Sequence, residues 1–185
     1  MAHPNLPKEE VVERLMRVFR REGYDGASLA RLSAATGLGR SSLYHHFPRG
    51  KEDMAEAVMD ASRQRFARLV LEPLSAPGPA RARFEAMARG YAEFYDSGRD
   101  SCLIDLFGVG TTGLQFVPRL THSIATITGA IANVLVEAGI AEDVARLRAE
   151  DALIAIQGAL VLTRAGGSTA PFHRVLAELP DRLLA

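Results

Sequence analysis

The chain has 185 residues, is 48% hydrophobic and carries no formal net charge, so it can bury a real core and its overall charge singles out no partner. Its one cysteine, Cys102, excludes an intrachain disulfide, and the N-terminus lacks the basic-then-apolar order of a signal peptide. The least polar stretches, near 124–136 and 152–163, contain Thr, Asn or Gln and are too short to span a membrane, so a cytoplasmic protein is expected.

Taken in chain order, nearly every segment repeats its apolar residues at 3.6 rather than 2.0. Val12, Leu15, Met16 and Phe19 form one face of a helix over Lys8–Gly23, with Pro7 at its start and Gly23 as its stop. Ser28 is placed to cap a short second helix that turns Leu29 and Leu32 inward and ends near Thr36-Gly37. A tight Gly37-Leu38-Gly39 turn, plugged by Leu38, leads to a third helix from about Arg40 to Phe47. Lys51 opens a long fourth helix whose Glu52 and Asp53 suit the positive end of the dipole. That helix is expected to run to about Val70 and to break at Glu72–Pro79. Further helices are expected at about Ala80–Ser97, Val117–Ala138, Ala141–Arg164 and Pro171–Leu184, with Gly139 and Gly166-Gly167 as stops. The stretch Ser101–Phe116 fits either a short strand or an irregular helical segment. The chain therefore reads as all-α, with no internal repeat.

Charge is unevenly distributed. Residues 1–51 hold nine Lys/Arg against five Asp/Glu, an excess of four positive charges that the remaining 134 residues balance. Two short helices joined by a glycine turn are the usual device for laying a helix in the DNA major groove, and a basic head suits phosphate. At 100° per residue, Leu43 and Phe47 of SSLYHHF share an inward face. Ser41 and His45 point away from it, Ser42 lies beside them, and Tyr44 and His46 flank them. Hydroxyls and an imidazole suit base edges and phosphates, Arg40 suits a bidentate contact to guanine, and Lys51 with the first amides of the fourth helix suits a backbone phosphate. His45 and His46 diverge by about 100° and cannot chelate one ion without another element. Tyr44 has packing as its plain alternative role.

The run Val12–Met54, with FRREGYDGASLARLSAATGLGRSSLYHHFPRGKEDM at its centre, resembles the DNA-binding head of the TetR/AcrR family. That resemblance implies phosphate contacts at Ser28, Tyr44 and Lys51, and groove-facing roles for Arg40, Ser42, His45 and His46. Gln157–Arg164, Pro171-Phe172 and Leu179–Leu183 are similar to the C-terminal end of the LmrA/YxaF-like branch. The family implies a helix-turn-helix head, here residues 1–51, and a helical effector-binding and dimerisation body, here 52–185. Its partners would be a palindromic double-stranded operator, a small apolar effector and a second copy of the chain, met through helices at about 141–164 and 171–184.

For the body, Leu153, Ile156, Leu160 and Val161 form a stripe beside small Ala155, Gly158 and Ala159, which suits either a core or a close helix–helix seam. Cys102, Phe107, Phe116, His122 and Gln157 are nominated as pocket residues, being sparse polar groups among apolar and aromatic ones. A lone His or Gln on such a helix is more often a satisfied core residue, and a lone Cys more often filler. Gly108-Val-Gly110-Thr-Thr-Gly113 matches G-x-G-x-x-G, but Pro118 arrives five residues after Gly113 and residues 128–136 offer none of the acid that a dinucleotide site needs about 20 residues on. No nucleophile elbow, metal-ligand spacing or cofactor motif is present, so neither catalysis nor a cofactor is expected. The alternatives to a ligand-responsive repressor are a helical sensor or scaffold without DNA binding, and a helical enzyme.

Overall fold

The computed structural model describes residues 6–102 and 116–185, and all of its regular elements there are helical. Helix α1 covers Lys8–Gly26, α2 Leu29–Thr36, α3 Arg40–His46 and α4 Lys51–Phe66. Helices α5 (Glu72–Ser75), α6 (Ala80–Phe94), α7 (Val117–Glu137), α8 (Glu142–Gly166) and α9 (Ala170–Leu184) follow. Among the described residues no helix is long and apolar enough to cross a membrane.

Some helix ends differ from the sequence reading, each for a local reason. The stop expected at Gly23 is a break in helical geometry (φ 69°, ψ −179°), after which one more helical turn carries the chain to Gly26, and α6 ends at Phe94 rather than near Ser97. The break expected at Glu72–Pro79 shrinks to Ala76–Pro79. Helix α4 passes into a π turn at Ala67–Leu71 and then into α5, where Pro73 occupies the first turn. The other stops hold: Gly139 has φ 91°, and Gly167 caps α8 in the left-handed conformation. The glycine run 108–113 lies outside the described residues.

The described residues form two compact units, 6–64 with 116–117 and 65–102 with 118–185. In the first, α1 packs on α2 and α2 on α3 around Val11, Leu15, Phe19, Leu32, Leu43, Phe47 and Met54, all buried. In the second, α9 lies against both α6 and α8. Phe84, Met87, Tyr91, Ile156, Phe172 and Leu179 fill that core, and Arg148 Nη1 donates to the Leu183 carbonyl at 2.9 Å to fasten the end of α9. Arg83 of α6 donates to the Leu74 carbonyl and pairs with Glu137 at the end of α7.

Candidate nucleic-acid interface and body cluster

Ser28 caps α2, its Oγ accepting the Arg31 N–H at 3.3 Å. A hydroxyl that accepts through one lone pair keeps its O–H to donate elsewhere. The turn into α3 is fixed by side chains from two helices. Thr36, fully buried, donates from Oγ1 to the Leu32 carbonyl at 2.9 Å and accepts the Leu38 N–H at 3.3 Å. Ser33 Oγ donates to the Leu38 carbonyl at 2.6 Å, and Arg14 of α1 donates to the Thr36 carbonyl at 3.2 Å. Leu38 is buried, as its place in the turn suggested. The side-chain bonds of Thr36, Ser33 and Arg14 therefore tie the turn to α1 and α2, which restrains the angle between α2 and α3.

On α3, Leu43 and Phe47 are buried, Arg40, Ser41, Tyr44 and His45 are exposed, and Ser42 and His46 are half-buried. Tyr44 is 44% exposed because its ring leans on Gly50 rather than into the core. Gly50 has φ +66°, and a Cβ there would lie 3.1 Å from Tyr44 Cε1, so both the turn and the ring require glycine.

The basic excess of the head is largely compensated in place. Arg49 binds Asp53 through Nε at 2.6 Å, Glu56 at 2.7 Å and Glu52 at 3.1 Å, while its own N–H donates to Asp53 Oδ2 at 2.7 Å. These hydrogen bonds hold the Asp53 carboxyl below its ordinary range and raise the Arg49 guanidinium above its own. Arg14 pairs with Glu10, and Arg21 and Arg31 with Glu22. Arg40 has no acidic partner among the described residues. Lys51 is half-buried, with Nζ 4.4 Å from the centroid of the Tyr24 ring, and burial lowers its proton affinity against the opposing pull of Asp25.

The residues nominated for a pocket are dispersed. Phe116 is buried in the first unit, its ring edge-on to Tyr24 at 5.1 Å, and His122 is exposed on α7. Phe107 lies outside the described residues. Cys102 and Gln157 do come together, around a residue the sequence reading missed: Tyr95 donates to Cys102 Sγ at 3.3 Å, with the Gln157 side chain beside its hydroxyl. Tyr91, one turn earlier on α6, stacks near Tyr95 at 6.2 Å and has a buried hydroxyl with no hydrogen-bond partner among the described residues. Burial pushes both phenols up, with Cys102 adding to the effect, so they stay neutral donors. Phe66, Phe94 and Phe172 make edge-on ring contacts to this pair. An i, i+4 pair of tyrosines on an apolar helix was the only available signal.

Helix α8 is apolar on two faces. Leu153, Ile156 and Leu160 of the expected stripe are buried in the unit, whereas Val161 belongs to a second face. That face shows Leu147 (63% exposed), Ile154 (67%), Val161 (54%) and Leu162 (60%) to solvent, with Gly158 between them, where an added Cβ would meet no described atom within 4 Å outside the helix's own backbone.

Residues 11–58 match the family model of bacterial regulatory proteins of the tetR family, and residues 79–178 match that of the LmrA/YxaF-like transcriptional regulator C-terminal domain. The HTH-type transcriptional repressor AcnR of Corynebacterium glutamicum is 36% identical over 69 residues, 37% of this chain and 36% of that protein. The chain thus spans about a third of the length of that curated relative in the matched region. The fold is similar to that of regulatory protein TetR from Rhodobacter sphaeroides, with a TM-score of 0.81 at 22% identity over 95% of this chain and 97% of that one. It is also similar to the TetR family regulator CifR, in a cysteine-mutant form complexed with 26-bp operator DNA. There the TM-score is 0.77 at 22% identity, over 98% of this chain and 97% of that one.

Proposed function

The chain belongs to the tetR family of bacterial regulatory proteins, with an LmrA/YxaF-like C-terminal region, and from that premise we propose that it is a cytoplasmic, homodimeric repressor that releases its operator on binding a small effector. Residues 1–51 are the DNA-binding head and 52–185 the effector-binding and dimerisation body. The observation that carries the reading is α3: a short helix on a turn held by Thr36 and Ser33, with Ser41 and His45 exposed and an Arg40 at its start that has no acidic partner among the described residues. Arg40 is the guanine-reading residue, with Ser41, Ser42, His45 and His46 as the other groove-facing groups. Ser28, Tyr44 and Lys51 grip phosphates beside them. Two heads on one dimer match the two halves of a palindrome, and the apolar outer face of α8, with α9 beside it, supports that dimer.

Binding to DNA upstream of the chain's own gene, titrated by gel shift at several salt concentrations, tests this. Arg40→Ala is expected to cost about 1–3 kcal/mol on the preferred operator and to relax base preference at one position of each half-site. Lys51→Ala is expected to weaken all sequences alike and to reduce the salt slope by about one per head. No specific complex at low salt would overturn the regulator reading.

The effector is a small, largely apolar molecule carrying a hydrogen-bond acceptor. An unpaired buried hydroxyl costs roughly 1–3 kcal/mol, and a ligand acceptor at Tyr91 removes that cost, with Tyr95, Cys102 and Gln157 as neighbouring polar groups. Its binding favours a head spacing that does not fit B-DNA. Tyr91→Phe is expected to raise the melting temperature of the ligand-free protein by about 2–4 °C while blunting effector release of the operator. A fall in melting temperature would show that the hydroxyl is satisfied and remove it from the site.

A further inference from the structure

Most arginines of the head lie against carboxylates, yet Lys51 lies against a ring. We propose that Tyr24 positions Lys51 for the DNA backbone, and that Phe116 holds Tyr24 in place, so the grip of the head depends on the chain entering α7. The inference rests on the reading of the chain as an operator-binding regulator.

An ammonium on four rotatable bonds is a poor preformed contact, because its freedom is lost on binding. An acidic partner would hold it still but cancel its charge, as Glu52, Asp53 and Glu56 do for Arg49. An aromatic face restrains the cation and leaves the charge intact. Lys51 Nζ sits 4.4 Å from the Tyr24 centroid, and the side chain is half-buried there.

Tyr24 is itself fixed from two sides. Gly23, left-handed at φ 69°, interrupts α1 immediately before it. Phe19, fully buried on α1, lies parallel to its ring at 6.2 Å and 7°. Phe116 meets it edge-on at 5.1 Å and 73°, and is the residue directly before α7 at Val117. Phe116 is the member of this chain of contacts that does not come from the head sequence. A displacement of Phe116 would move the ring under Lys51 without touching α3.

Two readouts test this in the full-length protein. The ε-methylene protons of Lys51, assigned by NMR without DNA, are expected upfield under the Tyr24 ring current. They should stay there in Tyr24→Phe, return to ordinary positions in Tyr24→Leu and move partway in Phe116→Leu. Operator affinity is expected to fall about 5- to 10-fold in Tyr24→Leu with a reduced salt slope, to be kept in Tyr24→Phe, and to fall less in Phe116→Leu. In a Lys51→Ala background, all three changes should leave affinity unaltered. An equal loss with and without Lys51, or an unmoved Lys51 resonance in Tyr24→Leu, overturns the positioning role. Failure of the wild-type chain to bind any DNA overturns the regulator reading instead, and the resonance still reports whether Tyr24 holds Lys51. If Tyr24→Leu does not fold, Phe116→Leu decides by the same two measurements.

Discussion

Replacing Gly90 with alanine is expected to destabilise the protein by about 3 kcal/mol or more, lowering its melting temperature by roughly 6–12 °C. Helix propensity alone gives the opposite sign, because Gly90 lies inside α6 and alanine is favoured there by about 1 kcal/mol. Packing decides the matter. A Cβ on Gly90 would stand 2.6 Å from the carbonyl carbon of Leu69 and closer still to its oxygen. Both are backbone atoms of the π turn at Ala67–Leu71, so no side chain can swing aside and the two helical segments must separate. Gly129→Ala is the control: this glycine lies inside α7 with nothing within 4 Å of the added carbon, and the substitution is expected to stabilise by about 0.5–1 kcal/mol. Thermal unfolding followed by circular dichroism measures both. Equal stabilisation by the two changes would show that the π turn yields easily.

Ile154→Glu is expected to dissociate the dimer and to lower operator affinity by about 100-fold or more, since two linked heads gain roughly 10²–10⁴ over one. The residue is 67% exposed in the single chain, so the helical content and melting of the monomer should change little. In a dimer built on the outer face of α8, however, each new carboxylate would be buried opposite its own copy. Sedimentation velocity reads the assembly state and gel shift the affinity. A variant that stays dimeric places the two-fold contact on another surface.

The parts of this protein that read directly from the sequence are those built from contacts a few residues apart. The cap at Ser28, the buried plug Leu38 and the division of α3 into a Leu43/Phe47 face and a Ser41/His45 face all follow from i, i+3 and i, i+4 geometry. Arg14 on the Thr36 carbonyl spans 22 residues, and no periodicity announces it. The π turn escaped because Glu72-Pro73 looks like a break, whereas proline in a first turn permits continuation. Gly90 left a faint trace, as a glycine inside a helical pattern invites a search for a close neighbour. The pocket nominations failed to converge because residue type marks which side chains suit a site and carries no record of which ones meet. Tyr91 and Tyr95 were passed over, although it is Tyr95 that joins Cys102 to Gln157.

By itself the sequence determined the helical class, most of the helix ends and the outward chemistry of α3, since each depends on backbone propensity and local side-chain spacing. It also established that the head is rich in cations. Only the tertiary structure decided which cations remain available. Arg49 is surrounded by three carboxylates, Arg40 has no acidic partner among the described residues, and Lys51 rests on a ring from α1 that is supported by Phe116. Likewise α8 carries apolar residues on two faces in sequence, and the packing of α9 against it determined which of them was left at the surface. Charge compensation and burial are properties of neighbours distant in the chain, and the fold alone chooses those neighbours.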